Sequence, residues 1–170
     1  MLTIPNLSFL TMPWVLVGGI AIRAYAPERM TIDIDILIAA NDSRSAQQAF
    51  INAGYTLTAT LSIGGFTMEL PANPPIDVLT STAPWVTQAL TNPTYDAAGY
   101  PVIPRSYLVL MKLESGRSID MGDLSRLIGS ANQTERQDMR AIVGRYRPEF
   151  VEDYDALVAL ADLEFGEPPA

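Results

Sequence analysis

The sequence predicts an α/β fold of the α+β kind, with a small mixed β-sheet followed by a helical C-terminal region. Two observations predict it. Short runs of β-branched and aliphatic residues, bounded by glycine, proline and asparagine, recur as far as Thr80. Four helical segments are predicted after Pro104. We therefore expect a core domain over residues 1–104 and a helical region over residues 105–170 that packs on it.

The first part of that core is a strand, a turn and a helix followed by a second strand. Val15–Val17 is an apolar run that stops at Gly18-Gly19. Ile20–Tyr25 can form a helix, which Pro27 ends. Thr31–Ile38 alternates polar and apolar residues and predicts a strand.

Two aspartates lie on one face of that second strand. Strand side chains alternate between faces, so Asp33 and Asp35 point one way and their isoleucine neighbours the other. Two carboxylates near a glycine turn that opens a helix indicate a site for a divalent metal and a phosphate. Gly18 and Gly19 would let backbone amides approach a phosphate, with the helix N-terminus adding its positive end. The alternative is an exposed strand face beside an ordinary tight turn.

Further elements follow in order along the chain. The patterns predict a helix over Ser43–Ala53 closed by Gly54, a hairpin of Tyr55–Ser62 and Phe66–Leu70 around Gly64-Gly65, a strand over Ile76–Thr80, and a loop with a helical turn over Pro84–Tyr100. The helices of the C-terminal region are predicted at Arg105–Ser115, Asp120–Ser130, Gln133–Tyr146 and Pro148–Phe165.

Asp77 is a third candidate ligand. It lies within the short apolar strand Ile76–Thr80, where a charged residue needs a reason. If this strand lies beside the one that carries Asp33 and Asp35, three carboxylates converge, enough to hold two Mg²⁺ ions. The alternative is a strand-end residue that follows a proline-rich connection.

Basic residues near these elements are candidates for phosphate contacts. Arg23 and Arg29 flank the first helix and could meet polyphosphate oxygens, or could simply lie on the surface. Lys112 is the lone lysine and shares a helix face with apolar residues. That position suggests a phosphate or carboxylate partner, or a side chain that snorkels from the core edge. Asp120 can be a helix N-cap with Asp123 in the first turn.

Composition limits the chemistry. The chain of 170 residues has no histidine and no cysteine, which excludes Ser-His-Asp and Cys-His catalysis and a His/Cys zinc site. Any metal should therefore be a hard one that prefers oxygen, Mg²⁺ or Mn²⁺. No apolar run is long enough to span a membrane, and no secretory signal is evident, so we expect a cytoplasmic protein.

The net charge of −8 is unevenly distributed. Seven acids and no bases follow Arg147, whereas the remainder has 12 acids and 11 bases. This is not the basic stripe of a duplex DNA binder. The acidic C-terminal helix is either a solvated face or an interaction surface.

Together, these residues resemble the nucleotidyltransferase superfamily of the DNA polymerase β type. The match consists of Gly18-Gly19, Asp33-x-Asp35 and Asp77. The sequence around them resembles that of the prokaryotic branch of abortive-infection and minimal nucleotidyltransferases, many of which belong to toxin–antitoxin pairs. A looser match to that branch is formed by Lys112, Arg117 and the Asp120–Leu124 segment.

The resemblance implies transfer of a nucleoside monophosphate from a nucleoside triphosphate to a hydroxyl, with release of pyrophosphate. Asp33, Asp35 and Asp77 would bind metal, Asp77 would also assist deprotonation of the acceptor, and Lys112 would steady the phosphates. The acceptor stays open among an RNA 3′ end, a protein side chain and a small molecule, and a cognate toxin or antitoxin is a further expected partner. The competing interpretations are a non-catalytic binding module of the same fold, such as an antitoxin, and an adaptor that acts through its acidic helix.

Overall fold

The chain forms two compact units. The structure, a computed structural model, describes residues 3–26, 31, 33–166 and 168. The first unit comprises Met1–Ala21 and Arg29–Ile103, and the second comprises Ile22–Glu28 and Pro104–Ala170.

The first unit is built on a seven-stranded mixed sheet, which confirms the predicted fold class. Its strands are β1 (Val15–Val17), β2 (Ile34–Ala39), β3 (Thr56–Thr60), β4 (Gly65–Glu69), β5 (Ile76–Ser81), β6 (Thr94–Tyr95) and β7 (Pro101–Val102). The order across the sheet is β3-β4-β5-β2-β1-β7-β6. Helices α1 (Gly18–Ile22), α2 (Ser43–Asn52) and α3 (Val86–Thr91) connect these strands, with the last residue of α1 in the second unit.

The centre of the sheet mixes strand directions. Strand β1 is antiparallel to β2, whereas β2 is parallel to β5. One face of these strands is fully covered, because Ile34, Ile36, Ile76 and Val78 have no exposed surface. The residues between them along β2 and β5 therefore point to the opposite face.

The first unit differs from the sequence prediction at three main points. Strand β2 begins at Ile34 rather than Thr31, so Asp33 lies just before the strand. Helix α1 begins at Gly18 rather than Ile20, because Gly18 adopts φ +64° and turns the chain from strand directly into helix. The segment Pro84–Tyr100, predicted as a loop with a helical turn, contains α3 and the short strand β6. Strand β7, which was not predicted, begins just after this segment and pairs in parallel with β1.

The second unit is helical. It consists of α4 (Arg105–Ser115), α5 (Ser118–Gly129), α6 (Gln133–Tyr146) and α7 (Val151–Phe165), with a 3₁₀ turn over Pro148–Phe150. Helix α6 begins with a capping box, in which Asn132 and Glu135 satisfy each other's backbone amides. Within the described part of the chain, no helix is long and apolar enough to cross a membrane.

Candidate active site

The turn from β1 into α1 places a carboxylate directly against the backbone. A β-carbon added to Gly18 would lie 2.0 Å from Oδ2 of Asp35, far inside van der Waals contact. The absent side chain at Gly18 therefore provides the space that the Asp35 carboxylate occupies. Helix α1 has five residues, too few for a sizeable macrodipole, so any phosphate affinity here would come from individual backbone N–H groups.

Asp35 and Asp77 lie directly opposite each other at the centre of the sheet. The parallel register of β2 and β5 pairs Asp35 with Asp77, and the antiparallel register of β1 and β2 pairs Val17 with Asp35. Directly opposed residues project from the same face, and neighbouring strands lie about 4.8 Å apart. The strand adjacency on which the three-carboxylate prediction depended is therefore present. Both aspartates are half-buried.

Asp33 is the outer member of the predicted set. It is exposed and precedes the first residue of β2. Among the described residues, no three acidic side chains are close enough together to hold a metal ion. The structure thus places Asp35 opposite Asp77 on the adjacent strand, whereas Asp33 precedes β2 and is two residues before Asp35 in the sequence.

Asp77 has a partner that sequence reasoning did not identify. Strand β4 is antiparallel to β5 and places Thr67 opposite Asp77. The Thr67 hydroxyl donates a hydrogen bond of 2.6 Å to Oδ1 of Asp77. Nothing in the sequence marks this threonine, because the pairing depends on the register of the β3–β4 hairpin.

The arginines predicted to contact phosphate are less informative. Arg23 is half-buried in the second unit and already makes a polar or charged interaction. Arg29 lies outside the described residues. Their predicted roles stay predictions.

Lys112 lies at the centre of a buried charge network in the second unit. Its side chain is 5% exposed, and Nζ donates to Asp120 Oδ1 at 2.9 Å and to Asp123 Oδ2 at 2.7 Å. The expected carboxylate partner is therefore present, twice. The structure shows no phosphate contact that would test the predicted role of Lys112 in nucleotide binding.

Asp120 is the most heavily bonded member of this network. Ser115 Oγ and Arg117 Nε both donate to its Oδ2, at 2.8 and 2.9 Å. Burial alone would raise the pKa of Asp120, but the hydrogen bonds from Arg117, Lys112 and Ser115 outweigh it and lower the pKa to about 2. Asp120 lies in the first turn of α5, whose N-cap is Arg117, so the alternative that made Asp120 an N-cap was wrong. Asp123, which that alternative put in the first turn, lies beyond it.

Comparison with known proteins places the fold. The sequence matches no protein-family model and no curated protein. Among solved structures, it is similar to the lincosamide antibiotic adenylyltransferase LnuA in its lincomycin-bound form. The two sequences are 15% identical, the match covers 69% of this chain and 87% of that chain, and the TM-score is 0.51.

Two structures of the antibiotic-resistance factor ANT(2'')-Ia are also similar. The solution structure has 17% identity, covers 90% of this chain and 86% of that chain, and has a TM-score of 0.48. The crystal structure with adenylyl-2''-tobramycin has 16% identity, and the match covers 91% of this chain and 89% of that chain. Its TM-score is also 0.48. At 15% identity, the likeness to LnuA concerns the fold alone. The chain therefore has the fold of a nucleotidyltransferase.

Proposed function

We propose that this protein transfers a nucleoside monophosphate from a nucleoside triphosphate to an acceptor hydroxyl and depends on a divalent metal. The observation that carries the proposal is the direct opposition of Asp35 and Asp77 on adjacent central strands. Like charges directly opposite each other destabilise a sheet. A bound cation would remove that repulsion, which gives the arrangement a reason.

The donor set fits a hard cation. Asp35 and Asp77 offer carboxylate oxygens, and Asp33 is two residues from Asp35 along the same strand direction. Mg²⁺ commonly binds through one or two protein carboxylates while it keeps water and substrate phosphate oxygens as its other ligands. When bound, such an ion would withdraw charge from the triphosphate and lower the pKa of the attacking hydroxyl.

The chain's own groups would carry the remaining steps. Gly18 and Gly19 stay predicted backbone contacts of a phosphate, and the roles predicted for Arg23, Arg29 and Lys112 stay predictions. The acceptor oxygen forms a bond to the α-phosphorus, and the bond from that phosphorus to the oxygen that bridges to the β-phosphate breaks. Pyrophosphate leaves with the electron pair, and the hydroxyl proton passes to the Asp77 carboxylate and then to solvent.

A transfer assay with a panel of acceptors and nucleotides would show which of them this protein uses. The similar protein LnuA acts on a lincosamide antibiotic, so lincomycin belongs in an acceptor panel together with an aminoglycoside, transfer RNA and the protein's own hydroxyl groups. Each of the four NTPs, labelled at the α-phosphate, would be incubated with each acceptor in Mg²⁺, in Mn²⁺ and in EDTA. We expect label transfer that EDTA abolishes.

Isosteric variants provide the controls. Asp35→Asn and Asp77→Asn remove a ligand charge with almost no change of shape and should abolish transfer, whereas the exposed Asp138→Asn should not change it. If no NTP and acceptor pair gives metal-dependent transfer, and NTP binding is equal in the wild type and in the two site variants, the enzyme proposal fails.

One observation favours a second candidate, a binding module that acts through α7. This acidic helix exposes Leu160 and Leu163, which are three residues apart and therefore neighbours on one face, with Leu163 87% exposed. Adjoining apolar side chains exposed on a helix are typical of an interaction surface. A chain that transfers no nucleotide in the panel above but binds a cognate toxin or antitoxin through this helix would support this candidate.

A further inference from the structure

The hydrogen bond from Thr67 to Asp77 is short and partly buried, unlike an ordinary pair of exposed polar side chains. The donor–acceptor distance is 2.6 Å, in the range of hydrogen bonds to an ionised carboxylate, and both side chains are half-buried. The flanking residues Phe66 and Met68 are buried on the other face of β4, which fixes the face that Thr67 presents.

This contact restricts the carboxylate of Asp77. A free carboxylate rotates about its terminal torsion, and its two oxygens exchange places. The Thr67 hydroxyl occupies Oδ1 and fixes the plane of the group, which leaves Oδ2 for a metal ion or an acceptor proton. Threonine suits this role, because its branched β-carbon holds χ1 stiffly.

The same hairpin contains a comparable pair outside the site. Thr58 donates to Oε1 of Glu69 at 3.2 Å, and both residues are exposed. This pair has the same chemistry and lies on the neighbouring strands β3 and β4. It therefore supplies a matched control for the loss of a threonine hydroxyl.

We propose that Thr67 is a positioning residue, which orients the Asp77 carboxylate for metal binding and for contact with the acceptor hydroxyl. The inference rests on the proposed function. Partners that orient metal-binding carboxylates typically contribute 10- to 100-fold to metal affinity or activity, so we expect an effect of about that size.

The test uses Thr67→Val, Thr67→Ser and Thr58→Val in the full chain. Bound Mn²⁺ is measured by electron paramagnetic resonance in protein saturated with α,β-methylene-ATP, against the same nucleotide without protein. Where the panel above provides a transfer assay, kcat and KM for the NTP are measured as well. Thermal unfolding of each variant checks the fold.

We expect Thr67→Val to weaken Mn²⁺ binding about 10- to 100-fold and to lower kcat more than it changes KM, with Thr67→Ser close to the wild type. Thr58→Val should match the wild type in both measurements. Equal Mn²⁺ affinity in Thr67→Val and Thr58→Val would overturn the inference, whatever their thermal stability.

The two proposals fail in different ways. Wild-type protein that binds Mn²⁺ more tightly than Thr67→Val, but transfers no nucleotide and binds NTP no better than the Asp35→Asn and Asp77→Asn variants, would support the positioning role and refute the enzyme. Wild-type protein that binds no Mn²⁺ beside the nucleotide would refute both.

Discussion

Replacing Lys112 by methionine should destabilise the protein strongly. The side chain keeps its length, but the ammonium that lies between Asp120 and Asp123 is lost, and those carboxylates are 0% and 1% exposed. Breaking a buried pair from one side costs about 3–5 kcal/mol, because a charge is left without compensation. Asp120 keeps its hydrogen bonds from Ser115 and Arg117, so we expect the lower end, about 3 kcal/mol. For a chain of this size, that loss lowers Tm by about 6–12 °C.

Urea unfolding at pH 7, followed by circular dichroism, measures this loss. The control is Arg140→Met, which breaks the exposed ion pair with Asp155 and should cost far less than Lys112→Met, because solvent screens an exposed pair. In the double variant Lys112→Met/Asp123→Asn, we expect at least half of the lost free energy to return. If Lys112→Met costs no more than Arg140→Met, the reasoning about the buried network is wrong. A separate transfer assay on the double variant tests the predicted catalytic role of Lys112, because this variant lacks the lysine but should keep its fold.

Three further predictions concern single positions. Gly18→Ala should lower the free energy of unfolding by about 1–3 kcal/mol through its positive φ and should also displace Asp35 and weaken Mn²⁺ binding. Gly116→Ala has nearly the same φ, +61°, but open space around it, so an equal loss of Mn²⁺ binding there would contradict the steric argument. Asn132→Ala should cost about 1 kcal/mol in thermal unfolding, because it removes the α6 cap, and an unchanged Tm would count against the capping box. The folded-state pKa of Asp120 is about 2 against a usual 3.8, so about 2 kcal/mol of stability should be present above pH 4 and lost as the pH falls towards 2. Asp120→Asn should lack this component of the acid-induced loss, and identical acid unfolding curves would refute it.

Most elements of the fold are readable from local patterns. The helices at Ser43–Asn52, Arg105–Ser115 and Gln133–Tyr146 begin where the sequence predicts, because apolar spacing is a local property and, for the last of them, the N-cap is local as well. Strands β6 and β7 have two residues each and no readable period. They exist because β7 pairs with β1, and such pairing depends on contacts distant in sequence.

The candidate site could be predicted only in part from the sequence, because it too depends on the pairing of strands that are distant in the chain. Alternation along the predicted strand Thr31–Ile38 put Asp33 and Asp35 on one face, but it could not show that Asp77 would lie opposite Asp35. Thr67 was missed altogether, since its relation to Asp77 needs the hairpin register as well as the β4–β5 pairing. Lys112 could be recognised as facing inward, whereas its two carboxylate partners lie on the next helix and become visible only in three dimensions.

The two units treat neighbouring carboxylates differently, and the difference supports a functional origin for the pair in the sheet. In the helical unit, Asp120 and Asp123 are neutralised by the chain itself, through Lys112 and Arg117. In the sheet, Asp77 faces Asp35 and receives an uncharged hydroxyl from Thr67. A sheet selected for stability alone would place apolar or β-branched residues at both positions, as β2 and β5 do on their other face at Ile34, Ile36, Ile76 and Val78. Two carboxylates directly opposite each other at the centre of the sheet are understandable if they bind a metal ion, as proposed above.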